Sequence, residues 1–192
     1  MNLTLHFCGL LAVAISTASC AERPPDGKSS ALKSAVILVI RHAEKPAKGN
    51  ELNADGKARA RAYVNYFQNF TVDGERLKLD FLYAAADSKE SHRPRLTLEP
   101  TSKKLGLAIN SRFGNEQFQK LADEILTKPR GKHILICWHH GEIPQLVQAL
   151  GANSGQLFPK GKWPDEVYDW VIQLRYDSAG RLVEAKRINE SF

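Results

Sequence analysis

The chain has 192 residues, of which 43% are hydrophobic and 25% are charged, and its formal net charge is +6. This composition is that of an ordinary globular protein, and the 3 cysteines exclude a disulfide framework. The length predicts one domain with a sizeable core, and the positive charge favours anionic ligands.

The first twenty residues differ from the rest, since no Asp, Glu, Lys or Arg occurs before Glu22. Residues 3–15 are mostly apolar but short for a membrane span, and small residues follow them as a signal peptidase requires. The alternative, a buried amino-terminal helix, lacks the polar face of a surface helix. We therefore divide the chain into an export signal at 1–20, a flexible linker at 21–33 and a folded domain at 34–192.

Cys20 allows a more specific interpretation of the export signal. The small residues before it resemble the lipobox of bacterial lipoproteins, in which the cysteine is lipidated, although Thr17 stands where that pattern prefers Leu. Lipidation of Cys20 with membrane attachment, and simple cleavage, both stay open. Either outcome predicts a periplasmic or outer-surface protein. Cys137 lies in an apolar run and is interpreted as an inert buried thiol.

The first predicted strand of the domain is the run of six apolar residues at 35–40. An unbroken apolar run rich in β-branched residues is typical of a strand buried on both faces of a parallel sheet. A buried helix is the alternative, but the run is short and Pro46 follows it closely. Arg41 and His42 therefore come at the carboxyl end of a central strand, where open α/β sheets bind ligands.

Helices and strands alternate along the remaining chain. We predict helices at 54–69, 94–105, 117–126 and 143–150, with Asn53 capping the first and Pro100 kinking or breaking the second. We predict strands at 80–86, 107–109 and 132–138, a polar loop at 152–164, and a final hairpin of 167–176 with 181–187. This order predicts a three-layer α/β/α domain whose central sheet is mostly parallel, with an antiparallel C-terminal strand.

Ionisable side chains follow three of the predicted strands. They are Arg41 and His42 after the first, Asp87 with the nearby His92 and Arg93 after the second, and His139 and His140 after the fourth. Because parallel strands end at one edge of a sheet, we expect these side chains to gather there.

Two arginines beside two histidines suit a phosphate group. Guanidinium forks bind phosphate oxygens, and an unprotonated imidazole can attack phosphorus. This chemistry needs neither a metal ion nor a cofactor. A zinc site is the alternative, but neither His-x-x-x-His nor Cys-x-x-Cys occurs in the sequence.

Four motifs in order resemble those of the histidine phosphatase superfamily, and they span residues 34–150. Residues 41–44 (Arg-His-Ala-Glu) are similar to its Arg-His-Gly-Glu motif, and residues 52–60 to its Leu-Thr-x-x-Gly-x-x-Gln-Ala element. Residues 93–97 are similar to its Arg-x-x-x-Thr motif, and residues 138–142 to its late His-Gly segment. The resemblance implies a phosphoglycerate mutase-like fold and a small exported member of the first branch of that superfamily.

The resemblance also implies residue roles. His42 matches the nucleophile that becomes phosphohistidine, Arg41 and Arg93 match the phosphate-binding arginines, and His140, next to Gly141, matches the second pocket histidine. We expect His139 to point away from His140 and, like Lys45, to contact substrate at the rim, or else to be structural or solvated. Glu116 is the candidate for the acid that protonates the leaving group, followed by Asp87 and Asp169. Trp163, Tyr168 and Trp170 are interpreted as packing residues, with a substrate mouth as the alternative.

We therefore expect a metal-independent phosphatase that hydrolyses phosphate monoesters through a phosphohistidine on His42. Its substrate would be a small phosphorylated molecule or a phosphoprotein. The alternative is a non-catalytic phosphate- or anion-binding module of the same fold, whereas a mutase fits poorly with export. Nucleic acid is not an expected partner, because no concentrated basic run with interleaved aromatic residues occurs.

Overall fold

The structure, a computed structural model that describes residues 31–128 and 132–192, is organised around one six-stranded sheet. Its strands are β1 (Val36–Arg41), β4 (Phe81–Ala84), β5 (Ile109–Asn110), β6 (His133–Trp138), β7 (Trp170–Tyr176) and β8 (Leu182–Asn189), while β2 (Thr71–Val72) and β3 (Glu75–Arg76) form a separate small hairpin. The predicted export signal, with Cys20, lies outside the described residues. No helix within the described ranges has the length and apolar sequence needed to cross a bilayer.

Five helices accompany the strands. They are α1 (Ala54–Gln68), α2 (Arg93–Leu105), α3 (Phe118–Thr127), α4 (Ile143–Ala149) and the short α5 (Ser154–Leu157), with single 3₁₀ turns at Asn115–Gln117 and Pro159–Gly161. Alternate residues of β1 face opposite sides of the sheet. Ile37 and Val39 pack into an apolar cluster with α3 and α4, and Leu38 and Ile40 into a second cluster with α1 and α2. The predicted three-layer α/β/α architecture is therefore confirmed.

The strand order in the sheet is β5-β4-β6-β1-β7-β8. Strands β5, β4, β6 and β1 are parallel to one another, β7 is antiparallel to β1, and β8 is antiparallel to β7. This confirms a mostly parallel sheet with an antiparallel C-terminal hairpin. Because β1 lies between β6 and β7, every residue of β1 is buried.

Three local predictions differ from the structure. Helix α2 continues through Pro100, because Leu98 and Thr101 on either side of it are fully buried and their packing outweighs the lost hydrogen bond. The predicted loop at 152–164 contains α5 and a 3₁₀ turn, and the side chain of Asn153 caps α5. Leu32, assigned to the linker, is only 2% exposed and packs into the core.

Asn53 caps α1 as predicted, and this end of the helix holds the segment that follows His42. The Asn53 side chain accepts a hydrogen bond from Gly56 N (2.8 Å), and Asn53 N donates to Glu44 O (3.1 Å). A Cβ atom on Gly56 would lie 2.3 Å from Glu44 O and 2.9 Å from Glu44 N. Glycine is therefore required at position 56 because the backbone of Glu44 approaches it so closely.

We expect Gly56→Ala to lower the free energy of unfolding by about 1–3 kcal/mol, although alanine is the better helix former, because the methyl group displaces the Glu44 backbone. Urea unfolding measures the change. Gly141→Ala is the matched control, since nothing lies within 4 Å of a Cβ atom at that position. Equal losses of stability in the two variants would contradict the close contact.

Candidate active site

The carboxyl ends of β1 and β6 bring two histidines together. The strands are parallel with Arg41 opposite Trp138, and His42 N donates to Trp138 O (3.0 Å). His42 and His139 thus follow adjacent strands at the same edge of the sheet. Their ring centroids are 5.2 Å apart in an edge-to-face arrangement.

The ring of His42 is buried and held in one tautomer. It is 2% exposed, and its Nδ1 lies 2.7 Å from Ala43 O. A carbonyl oxygen can only accept, so Nδ1 carries the proton and Nε2 carries the free lone pair. Burial lowers the pKa of His42 to about 2, against the Ala43 hydrogen bond that raises it. This imidazole is therefore neutral, and a competent nucleophile, near neutral pH.

Arg41 has two roles, since it both stabilises the fold and contributes to the site. Its Nη1 donates to the carbonyl oxygens of Pro164 (3.2 Å), Asp165 (2.9 Å) and Val167 (2.6 Å), which anchors the loop before β7. Its Nη2 lies 3.4 Å from His140 Nδ1. Its Nε is buried and has no hydrogen-bond partner among the described residues. One N–H of this guanidinium group is thus without an acceptor among the described residues.

Arg93, the first residue of α2, supplies a second cation. Its Nη1 donates to Gly49 O (3.2 Å), and its Nε is also buried without a partner in the described part of the chain. Burial lowers the pKa of both guanidinium groups, which nevertheless stay protonated. Each cation thus buries an N–H donor that has no acceptor, which lowers the stability of the folded protein unless an anion binds there. The site is therefore suited to an oxyanion.

His139 and His140 lie on different sides of the site. His139 packs against His42 and lines a cavity with Arg93, whereas His140 lines a second cavity with Asp165. The Nε2 of His140 lies 2.7 Å from Asp165 Oδ1. Consecutive residues at a strand end point to opposite sides, so only one of the pair can face His42. The structure thus brings His139 against the His42 ring, whereas His140 lies beside Arg41 and Asp165.

Burial, together with the nearby charge of Arg93, lowers the pKa of His139 to about 4. The pKa of His140 is also lowered, mainly by burial, while its bond to Asp165 raises it. His139 is consequently neutral at neutral pH and can donate one N–H. No group of three His, Cys, Asp or Glu side chains within residues 31–128 and 132–192 is arranged to hold a metal ion.

The cavity beside His139 and Arg93 has a volume of about 520 Å³. Its other lining residues are mostly polar, namely Ser88, Glu90, Ser91, Gly114, Asn115, Glu116 and Gln117. Glu116 is exposed on the 3₁₀ turn, which Trp138 Nε1 holds through a hydrogen bond to Asn115 O (3.0 Å). Glu116 therefore lies where a leaving group could reach it.

The other predicted rim and acid residues lie elsewhere. Asp87 accepts two hydrogen bonds from Arg95, at 2.9 and 2.8 Å, which keeps its carboxylate occupied. Asp169 is exposed and does not line the cavity that contains Glu116. Lys45 is exposed, acts electrostatically on His140 and does not line that cavity.

Thr97 links the nucleophile segment to the helix that carries Arg93. Its hydroxyl oxygen accepts from Ala43 N (2.9 Å), its O–H donates to Arg93 O (2.8 Å), and its side chain is fully buried. This contact gives a physical reason for the threonine of the Arg-x-x-x-Thr pattern.

We expect Thr97→Val to destabilise the protein by about 1–3 kcal/mol, because the substitution leaves the buried Ala43 N–H without an acceptor. Thermal or urea unfolding measures this, and p-nitrophenyl phosphate hydrolysis reports on the displaced site. Thr101→Val is the matched control one helical turn away. Thr101 is equally buried, but its hydroxyl has no partner among the described residues. Removing that hydroxyl is therefore expected to leave the free energy of unfolding unchanged or to raise it. Equal destabilisation in both variants would contradict the role given to Thr97.

Two features of the site have little sequence signal. Tyr168 lies in it, with its ring 3.8 Å from Arg41 Cζ, whereas Trp163 is core as interpreted. Behind the site, Arg59 donates to Glu44 Oε1 (2.9 Å) and Glu190 Oε2 (2.5 Å). Burial raises the pKa of Glu190 to about 7. No sequence pattern relates Glu190 to the first motif, so this contact could not be predicted.

We expect the Cε1 resonances of His42 and His139 to stay unchanged between about pH 8 and about pH 5 in the ligand-free protein, whereas an ordinary imidazole titrates near 6.5. The reason is burial, which lowers the two pKa values to about 2 and about 4. Proton–carbon NMR spectra across this range measure the titration, with His42→Ala and His139→Ala proteins providing the assignments. A midpoint near 6.5 for His42 would show that its ring is solvated.

Solved structures share this fold at low sequence identity. A protein assigned as the phosphohistidine phosphatase SixA of Agrobacterium tumefaciens gives a TM-score of 0.52 at 15% identity, over 79% of this chain and 97% of that one. A mycobacterial glucosyl-3-phosphoglycerate phosphatase gives 0.50 at 14% identity, over 82% and 99%. A phosphoglycerate mutase of Plasmodium falciparum gives 0.48 at 14% identity, over 83% and 91%. No protein-family model and no curated protein sequence matches the chain.

Proposed function

We propose that this chain, which has the fold of the phosphoglycerate mutase-like histidine phosphatases, hydrolyses phosphate monoesters through a phosphohistidine on His42. One observation carries the proposal: a neutral, buried imidazole with a free Nε2 lies among guanidinium groups that have unpartnered N–H donors. A phosphate dianion would satisfy those donors and lie within reach of the nucleophile.

The first step transfers the phosphoryl group to the protein. The lone pair of His42 Nε2 attacks phosphorus, and the bond between phosphorus and the ester oxygen breaks. Arg41, Arg93 and one N–H of His139 bind the equatorial oxygens, where negative charge is held in the transition state. In the second step water attacks phosphorus, the phosphorus–nitrogen bond breaks, and inorganic phosphate leaves with His42 regenerated. No metal ion takes part in this scheme.

The leaving alkoxide needs a proton in the first step. Glu116 is the proposed donor, because its carboxyl group lines the cavity beside His139 and Arg93. In the second step the same carboxylate would accept a proton from the attacking water. Esters with acidic alcohols such as p-nitrophenol need little protonation, so they are the substrates least dependent on Glu116.

The decisive experiment is a rapid quench with radiolabelled p-nitrophenyl phosphate. We expect acid-labile, base-stable label on the peptide that contains His42, and label on a serine peptide would reject the mechanism. Orthovanadate is expected to inhibit, since it mimics the trigonal-bipyramidal transition state. Vanadate binding without turnover of any ester in a substrate panel would favour the alternative, a phosphate-binding module of the same fold.

We also propose that the chain is exported and that its substrate is a small phosphate ester or a phosphoprotein outside the cytoplasm. The support is the uncharged apolar segment before Glu22, followed by small residues and Cys20. Mass spectrometry of the mature protein tests this, and an intact amino terminus would contradict it. A mass increase on Cys20, absent after Cys20→Ala, would indicate the lipid-anchored form.

A further inference from the structure

We infer that Tyr168 is a positioning residue of this site, which acts through Arg41 by stacking on its guanidinium group. The inference rests on the proposed function and adds a residue that none of the four sequence motifs contains. The ring of Tyr168 lies 3.8 Å from Arg41 Cζ, and its centroid is 6.5 Å from that of His42.

The stacking contact explains how a shared guanidinium group keeps one orientation. Carbonyl oxygens hold the Nη1 corner of Arg41 and His140 Nδ1 lies 3.4 Å from Nη2, which leaves the plane free only to tilt about the line that joins these two corners. An aromatic ring against one face removes this freedom, and such contacts contribute about 0.5–2 kcal/mol. With the plane fixed, the unpartnered Nε–H keeps its direction before any ligand arrives. This preorganisation is what transition-state stabilisation requires.

The backbone around Tyr168 is itself fixed. Val167 O accepts from both Arg41 Nη1 (2.6 Å) and Trp163 Nε1 (2.8 Å), and β7 begins at Trp170. Arg41 therefore organises the loop that carries Tyr168, and Tyr168 in turn orients Arg41. Tyr168 acts electrostatically on Arg93 as well as on Arg41, so it lies near both cations of the site.

The test compares Tyr168→Phe, which keeps the ring, with Tyr168→Leu, which removes it. We expect Tyr168→Phe to stay within about 3-fold of wild type in kcat and in orthovanadate affinity. We expect Tyr168→Leu to lose about 10-fold in kcat and in vanadate affinity, with a smaller change in KM. Tyr66→Leu is the control, because Tyr66 is a half-buried tyrosine on α1 that packs on Phe67 and Phe70 away from the site.

A double-mutant cycle separates positioning from a general loss of structure. In an Arg41→Lys background the planar group is absent, so adding Tyr168→Leu is expected to change vanadate affinity by less than about 2-fold. An undiminished effect in that background, or equal losses in the Phe and Leu variants, would overturn the inference. If the Arg41→Lys protein does not fold, the comparison of Tyr168→Phe with Tyr168→Leu tests the inference by itself. Wild-type protein that neither binds vanadate nor hydrolyses an ester would instead reject the proposed function.

Discussion

His42→Ala is expected to lower kcat for p-nitrophenyl phosphate by roughly 10³-fold or more, because it removes the atom that bonds to phosphorus. His139 lies in the same pocket but follows a different strand, so its ring does not occupy the position of the lost nucleophile. The loss should appear in kcat and kcat/KM together. Orthovanadate should still bind weakly, because Arg41 and Arg93 are unchanged.

His133→Ala is the matched control for that experiment. His133 begins β6, at the opposite end of the strand from His139, and its Nδ1 donates to Lys78 O (2.7 Å). Its removal is expected to leave kcat unchanged within about 2-fold, as for other substitutions far from a site. Steady-state assays on both variants, with circular dichroism to verify folding, give the answer. Activity that survives His42→Ala at the wild-type level would exclude the phosphohistidine mechanism.

His139→Ala is expected to lower kcat by about 10²–10³-fold, the usual effect of removing one donor to a developing negative charge. His140→Ala should cost less than about 10-fold, because that ring binds Asp165 and reaches the site only through Arg41 Nη2. The difference between the two neighbours follows from His139 lying against His42. Parallel kinetic assays of the two variants measure it.

The sequence motif alone predicts the reverse order for these two variants, since it assigns the pocket role to the histidine before Gly141. A larger loss for His140→Ala than for His139→Ala would therefore contradict the geometry. His139→Gln is a useful third variant, because an amide N–H can replace the imidazole donor. It should recover part of the activity that His139→Ala loses.

The fold could be predicted because its signals are local. The apolar run before Arg41, the cap at Asn53 and the alternation of strands and helices each depend on a short segment. The gathering of Arg41, His42, Arg93 and His139 follows from parallel strand order, which the same pattern implies. These signals do not indicate which of two consecutive residues after a strand has its side chain in the pocket.

The site details that were missed depend on contacts between distant segments. His139 and His140 differ by one position, and their directions follow from where β6 ends at Trp138. Tyr168 reaches Arg41 from a loop far along the chain, and Glu190 reaches Arg59 from beyond β8. Only the packed structure brings such residues together, because no periodicity or spacing relates them.

The central position of β1 has a consequence for how the protein matures. Val36 lies opposite His133 on one side and Arg175 on the other, so the earliest strand pairs only with late ones. Closing such long loops costs chain entropy before any pairing is gained, and folding of this topology is slow. A nascent chain that has not yet reached β7 therefore holds its nucleophile in an unfinished sheet. The surroundings of His42 are complete only once β7 has paired with β1.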